Sequence, residues 1–236
     1  MRTLFITSTG TEIGKTFVTC ALVRRLALMG VRARAIKPVL SGFDGQAPST
    51  WAESDPGQLL QAMGHPVNLQ GIERVSPFRF TAPLSPDVAA AREGRGIDLY
   101  GVVRFVTDCQ AGPEQVLLVE GIGGAMVPLT DQATVRDLIR LLQMQALVVT
   151  GSYLGTISHT LTTVEALTAK GVAVSAVVLS ESLSSPMPLD ETRLVLEHHL
   201  NGIPVIALPR CSPGPDGWLQ APDLAAPLGL AWHIAQ

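Results

Sequence analysis

The chain has 236 residues, 47% hydrophobic and 16% charged, enough for a large core, and it is expected to form one domain over residues 1–236. A formal net charge of −3 without a basic block excludes an electrostatic footprint for nucleic acid, and the three scattered cysteines (Cys20, Cys109, Cys211) exclude a disulfide framework. Residues 1–10 turn polar too early for a signal peptide, and no run of about 18 apolar residues occurs, so no membrane partner is expected and the location is read as cytoplasmic.

The first strand expected is 2–7, apolar almost throughout and therefore buried on both faces. It leads into Ser8-Thr9-Gly10-Thr11-Glu12-Ile13-Gly14-Lys15-Thr16. From Lys15 to about Met29, apolar residues at Val18, Leu22, Leu26 and Met29 have helical spacing, and Gly30 ends the run. Strand, glycine-bearing turn closing on Gly-Lys-Thr, and helix form the setting of a phosphate-binding loop. Backbone N–H groups at the turn and the positive helix end would cradle a polyphosphate. Lys15 adds a point charge, and the Thr16 hydroxyl suits Mg²⁺. Thr9 stands where the strict pattern wants glycine. The bland alternative is a chance Gly-Lys-Thr at a surface turn.

A second strand is expected over 31–39, ending on Lys37-Pro38 and followed by Ser41-Gly42. Ligands of open α/β sheets sit beyond the carboxyl ends of the strands, where Lys37 falls; a lysine snorkelling from an edge is the alternative. Residues 43–53 read as a loop. Ser54 caps a helix from Asp55, whose carboxylate fits either a ligand role or the helix dipole. Residues 75–86 contain three prolines and read as an irregular excursion, and Asp98 starts a helix to about Gln110. The strand 115–120 ends in Glu120 after four apolar residues, a costly place for an acid unless it is paired or binds metal. The glycines at 121, 123 and 124 let backbone approach a ligand. Further on come a helix at 134–143, a strand at 146–150, a helix from about Thr156 to Lys170, a strand at 172–179, a helix at 189–200 and a strand at 203–208. Free N–H groups from about Thr156 onward would suit a carboxylate. After Pro209 the chain is loop-like, with a short helix near Leu224. The alternation, with an aromatic share of only 5%, gives an α/β fold: a doubly wound, mostly parallel sheet with helices on both faces.

These pieces together resemble the dethiobiotin synthetase family. The matching stretches are Gly10-Thr11-Glu12-Ile13-Gly14-Lys15-Thr16, Lys37-Pro38-Val39-Leu40-Ser41-Gly42, Ser54-Asp55, Ser76-Pro77-Phe78 and Ala82-Pro83-Leu84-Ser85-Pro86. Val119-Glu120-Gly121-Ile122-Gly123-Gly124, Pro128-Leu129 and Leu154-Gly155-Thr156-Ile157-Ser158-His159-Thr160-Leu161 continue the match, in the family's order, to about residue 180. The resemblance implies an ATP-dependent ligase of biotin synthesis that joins 7,8-diaminopelargonate and CO₂ through a carbamate and a carbamic-phosphoric anhydride. By the same resemblance, Thr16, Asp55 and Glu120 hold Mg²⁺, and Lys15, Lys37 and Thr11 are the catalytic set. Nucleotide contacts are implied for Glu12, Ile13, Gly14, Lys15, Thr16, Phe17, Glu120, Gly123, Ser180 and Pro209. Substrate contacts are implied for Thr11, Lys37, Ser41 and Gly123, and for Gly155, Thr156, Ile157 and Ser158 reaching across a homodimer to the substrate's tail carboxylate.

The chain departs from the family pattern in two places. Ser8 stands where members commonly have glycine, and Ser180-Glu181 where they often have Asn-Asp. A serine lacks the paired donor and acceptor that an amide presents to adenine, so weak discrimination among nucleoside triphosphates is expected. Two other readings share the fold: a partition-type ATPase switch, whose extra loop lysine is missing here, and an amidating enzyme of corrin synthesis, for whose glutamine-hydrolysing domain 236 residues leave no room.

Overall fold

The computed structural model describes residues 1–230. Its centre is the run Arg2–Ser8 (β1), which enters the phosphate loop and then Lys15–Leu28 (α1). After Ala33–Ile36 (β2) the chain leaves the sheet at Lys37-Pro38 and forms Val39–Ser41 (β3). Proline has no N–H for a ladder, so the expected single strand over 31–39 is split in two. Asp55–Ala62 (α2) and Leu69–Val75 (α3) follow. Phe78–Phe80 (β4) pairs in parallel with β3, which corrects the reading of 75–86 as wholly irregular. The chain continues through Pro86–Arg92 (α4), Leu99–Gln110 (α5), Val116–Glu120 (β5), Val135–Leu141 (α6) and Gln145–Gly151 (β6). Thr156–Thr168 (α7), Val174–Ser180 (β7), Leu189–His199 (α8), Val205–Leu208 (β8) and Pro215–Gln220 (α9) complete it. The short tail helix therefore lies before residue 221 rather than near Leu224, with Trp218 buried in the core shared with α1.

Six strands join in the order β2-β5-β1-β6-β7-β8, with every neighbouring pair parallel. Period-2 alternation divides the core. Leu4, Ile6, Val116, Leu118, Leu147 and Val149 pack beneath α1, α2 and α9. Phe5, Leu117, Val119, Ala146 and Val148 pack beneath α5, α6 and α7 on the other face. Both faces are covered, so the strands read as unbroken apolar runs. The register then places chemistry. Ile36 pairs with Val119 and Ile6 pairs with Glu120, so Lys37, Glu120 and the start of the phosphate loop emerge side by side at the carboxyl edge.

The loop behind that edge is fixed by α6. Val135 N–H donates to Val127 O and Arg136 N–H to Ala125 O, each within 2.9 Å. Asp137 accepts from the Thr134 amide at 2.9 Å and from the Thr134 hydroxyl at 2.7 Å, closing the first turn. Burial opposes ionisation of Asp137, but the Thr134 donors outweigh it and lower its pKa. Asp137→Ala is expected to cost about 1 kcal/mol at neutral pH. Because the folded pKa is lowered, the contribution is present above the ordinary aspartate pKa of about 3.9 and fades as pH falls through the folded value. Urea unfolding of both proteins at pH 7 and pH 3 checks this; a stability gap independent of pH would assign the effect to something other than the carboxylate.

Candidate active site

Between β1 and α1 the backbone takes conformations that set the loop's composition. Gly14 sits at φ 98°, where a Cβ is strained and would lie 3.2 Å from Ser180 Oγ. Glu12 is left-handed at φ 58° without that freedom. Gly124 is favoured for a different reason. A Cβ there would come within 3.2 Å of Ser8 O and 3.3 Å of Gly10 N, because the 121–125 turn lies directly on the phosphate loop. Ala125 N–H donates to Ser8 O at 3.0 Å, fixing that contact.

Ser8, which the sequence marks only as a departure, is a structural member of the loop. Its hydroxyl accepts from Lys15 Nζ at 3.1 Å and lies 3.0 Å from Gly123 O, to which it can donate. Lys15 also donates to Gly10 O at 3.3 Å. Burial first, and the neighbouring Lys37 second, lower the Lys15 pKa to about 8 against the opposing pull of Glu120 and Asp55.

Ser54 caps α2, accepting from Gly57 N–H at 3.3 Å, and so presents Asp55 to the loop. Lys37 is clamped by its own backbone: its N–H donates to Val75 O at 3.0 Å, and its carbonyl accepts from Ser76 Oγ at 2.6 Å. Its ammonium bridges the two carboxylates, donating to Asp55 Oδ2 and, at 2.8 Å, to Glu120 Oε1. Thr16 Oγ1 lies 2.9 Å from Asp55 Oδ1 and 2.7 Å from Glu120 Oε1, with one proton to give between them. Burial alone would push the Lys37 pKa down, but Glu120 and Asp55 outweigh it and raise it. Burial would raise Asp55, and the Lys37 charge instead holds it below the usual aspartate value.

Of the sequence-derived residues, Thr11, Glu12, Ile13, Gly14, Lys15, Thr16, Lys37, Ser41, Asp55 and Gly123 line one cleft of about 850 Å³, with Glu120 in contact beneath it. Phe17, Ser180 and Pro209 line an adjoining cleft of about 760 Å³ on the other side of the loop. Glu181 closes that second cleft by accepting from Arg210 N–H at 2.8 Å, which ties the ends of β7 and β8 together. Gly155, Thr156, Ile157 and Ser158 line a separate cavity, so within one chain they are not gathered with Lys37. Thr156 has local duties: its amide donates to Tyr153 O, and its buried hydroxyl lies 2.9 Å from Thr150 Oγ1. The free N–H groups of α7 thus begin at Ile157 rather than at Thr156. Sequence reasoning missed Tyr153 and His159, whose side chains meet at 2.9 Å and line the second cleft; only their nearness to the loop in space singles them out.

A phosphate cradle at the middle of a parallel sheet, with two lysines and two carboxylates at its mouth, defines a nucleotide-dependent enzyme of the P-loop class. A family model described as an AAA domain matches residues 2–210. The ATP-dependent dethiobiotin synthetase BioD of Acidiphilium cryptum (strain JF-5) is 46% identical over 93% of this chain and 97% of its own length. That of Caulobacter sp. (strain K31) is 48% identical over 89% of each chain. The chain belongs to the ATP-dependent dethiobiotin synthetase family, and it is an ATP-dependent ligase with ATP as co-substrate. The MinC:MinD cell division protein complex of Aquifex aeolicus aligns with a TM-score of 0.53 at 14% identity, covering 89% of this chain and 81% of that chain. The ParA family ATPase from Chlorobium tepidum TLS aligns at 0.50 and 14% identity, covering 89% and 84% respectively. These two share the fold alone. Among the described residues, no helix is long and apolar enough to cross a membrane.

Gly14→Ala should weaken ATP binding about tenfold, since a side chain at positive φ costs roughly 1–2 kcal/mol in the loop that must hold the phosphates. Calorimetric titration measures it. Adding Ser180→Ala should not restore affinity if backbone strain is the cause; full rescue would assign the loss to the Ser180 contact.

Proposed function

We propose that this enzyme closes the cyclic urea of dethiobiotin from 7,8-diaminopelargonate, CO₂ and ATP, working as a single-domain cytoplasmic protein over residues 1–236. One observation carries the reading: Lys15 and Lys37, reaching from different elements, line the same cleft with Thr11 and Ser41. The chemistry needs both charges. One amine adds to CO₂ and loses a proton, giving a carbamate whose oxygen is a poor leaving group. That oxygen takes the γ-phosphoryl group of ATP and ADP departs. The second amine then attacks the carbamate carbon, losing a proton as phosphate leaves and the ring closes. Phosphoryl transfer depends on positioning and charge neutralisation, so Lys15 would steady the transferring group while Lys37 offsets the carbamate's charge. Thr11 and Ser41 would orient the substrate by hydrogen bonds.

Thr16, Asp55 and Glu120 would hold Mg²⁺. The donor set fits: among the described residues no three His, Cys, Asp or Glu side chains converge, but two carboxylates and a hydroxyl do, all hard oxygens. Glu120 Oε2 is moreover buried without a hydrogen-bond partner. When bound, the ion would neutralise charge on the phosphates. Glu12, Ile13, Gly14, Gly123 and Phe17 would surround the nucleotide, and Ser180 and Pro209 its base. The separate cavity at Gly155–Ser158 fits a homodimer in which the Ile157 and Ser158 amides receive the tail carboxylate of the neighbour's substrate.

Labelled bicarbonate supplied with diaminopelargonate and ATP should appear in a product of dethiobiotin mass. Lys37→Ala and Glu120→Ala should each cut incorporation by at least about a hundredfold while circular dichroism stays unchanged. Normal incorporation in either variant removes that residue from the mechanism. With Ser180 in the base cleft, turnover with CTP or GTP at matched concentration should fall within about tenfold of that with ATP. A preference for ATP beyond about a hundredfold rules out weak base reading.

A further inference from the structure

Resting on that reading of the site, we propose that Lys37 is the resident cation of the resting metal site and is displaced toward the substrate side when a divalent ion enters. Three observations carry this. Although Lys37 lines the cleft, its ammonium is held by one oxygen from each of the carboxylates that would ligate the metal, Asp55 Oδ2 and Glu120 Oε1. It is almost sequestered there, with 5% side-chain exposure against 0% for Glu120. Finally, the ligand set is complete around it, because Thr16 Oγ1 contacts both carboxylates at 2.7 and 2.9 Å while Glu120 Oε2 stays unpartnered.

Two buried carboxylates without a counter-charge are costly, and Lys37 supplies that charge when no metal is present. A divalent ion bound by the same oxygens would face a full positive charge within a few ångströms, so both cations cannot keep this arrangement. The lysine stem gives the ammonium freedom to move while its backbone stays clamped at Val75 and Ser76. The place to which it can move is the shared cleft, beside Thr11 and Ser41. The same side chain that neutralises the metal position is thereby released toward the substrate side when the metal replaces it.

The test uses Mn²⁺ as probe, read by electron paramagnetic resonance, on the full chain without nucleotide. Lys37→Met removes the charge and keeps the volume, and it should bind Mn²⁺ at least about tenfold more tightly than the wild type. Equal or weaker binding overturns the proposal. A wild-type readout stands beside it in case the variant fails to fold: amine labelling of Lys37, followed by mass spectrometry, should speed up several-fold on adding saturating Mn²⁺. An unchanged labelling rate with Mn²⁺ bound overturns the displacement while leaving the metal site standing. Absence of Mn²⁺ binding even with a non-hydrolysable ATP analogue overturns the metal assignment and this inference with it.

Discussion

A carboxylate at the end of an apolar strand governs this structure. Glu120 is 1% exposed, and a charge so placed survives only with a partner close by. Lys37 Nζ, at 2.8 Å, is that partner, and the parallel register of β2 on β5 brings it there. The pair costs desolvation that apolar residues of the same volume would avoid, so its stability alone does not explain it. Its placement does: the carboxyl edge of the sheet is where an α/β fold leaves a crevice for ligands. The charged side chains of this crevice are Lys37 just after β2, Asp55 at the start of α2, Glu120 at the end of β5 and Lys15 at the start of α1, with Lys37 clamped by its backbone and Asp55 presented by the Ser54 cap.

The phosphate loop depends on the same edge in another way. It is not a free turn. The 121–125 segment presses on it so closely that a Cβ at Gly124 would crowd its backbone, and Ser8 fills the space beneath with one hydroxyl that serves Lys15 and reaches Gly123 O. Where a glycine would leave that volume to backbone alone, serine gives Lys15 a neutral acceptor. The lowered Lys15 pKa follows from this setting: burial dominates, and Lys37 repels it. Both lysines are thus held by the protein itself, one on hydroxyl and carbonyl oxygens, the other on carboxylates.

Most of the fold was legible in the sequence because buried parallel strands are nearly pure apolar runs and their helices carry periodicity near 3.6. The misreadings have physical causes. Residues 31–39 look like one strand, but Pro38 removes a ladder donor, and the strand that forms after it pairs only with β4, three residues long and hidden among prolines. The core site was legible as well: Lys15 and Thr16 from the loop pattern, Glu120 from the cost of an acid in that place, and Asp55 from its cap. What escaped is how Ser8, seen only as a departure, and Tyr153 serve the site: Ser8 Oγ reaches Gly123 O, 115 residues on, and Tyr153 lies beside Thr9, 144 residues away, contacts that no local pattern records.

Those long-range contacts form a row of hydroxyls that gives the structure its reach. Thr9 Oγ1 in the phosphate loop lies 3.2 Å from Thr150 Oγ1 at the end of β6, which in turn meets Thr156 and Thr160 of α7 at 2.9 Å each. Thr150, Thr156 and Thr160 are buried, and every one of these hydroxyls has a partner, so the row is a satisfied polar network rather than a defect in packing. Its effect is geometric. The first turn of α7, with the open amides of Ile157 and Ser158, is fastened through side chains to the loop that receives phosphate. Each protomer thus presents its phosphate loop and its α7 amides as one rigid unit, so in a dimer that shares the substrate tail the spacing between one protomer's reacting end and its partner's amides would be set by how two such units dock.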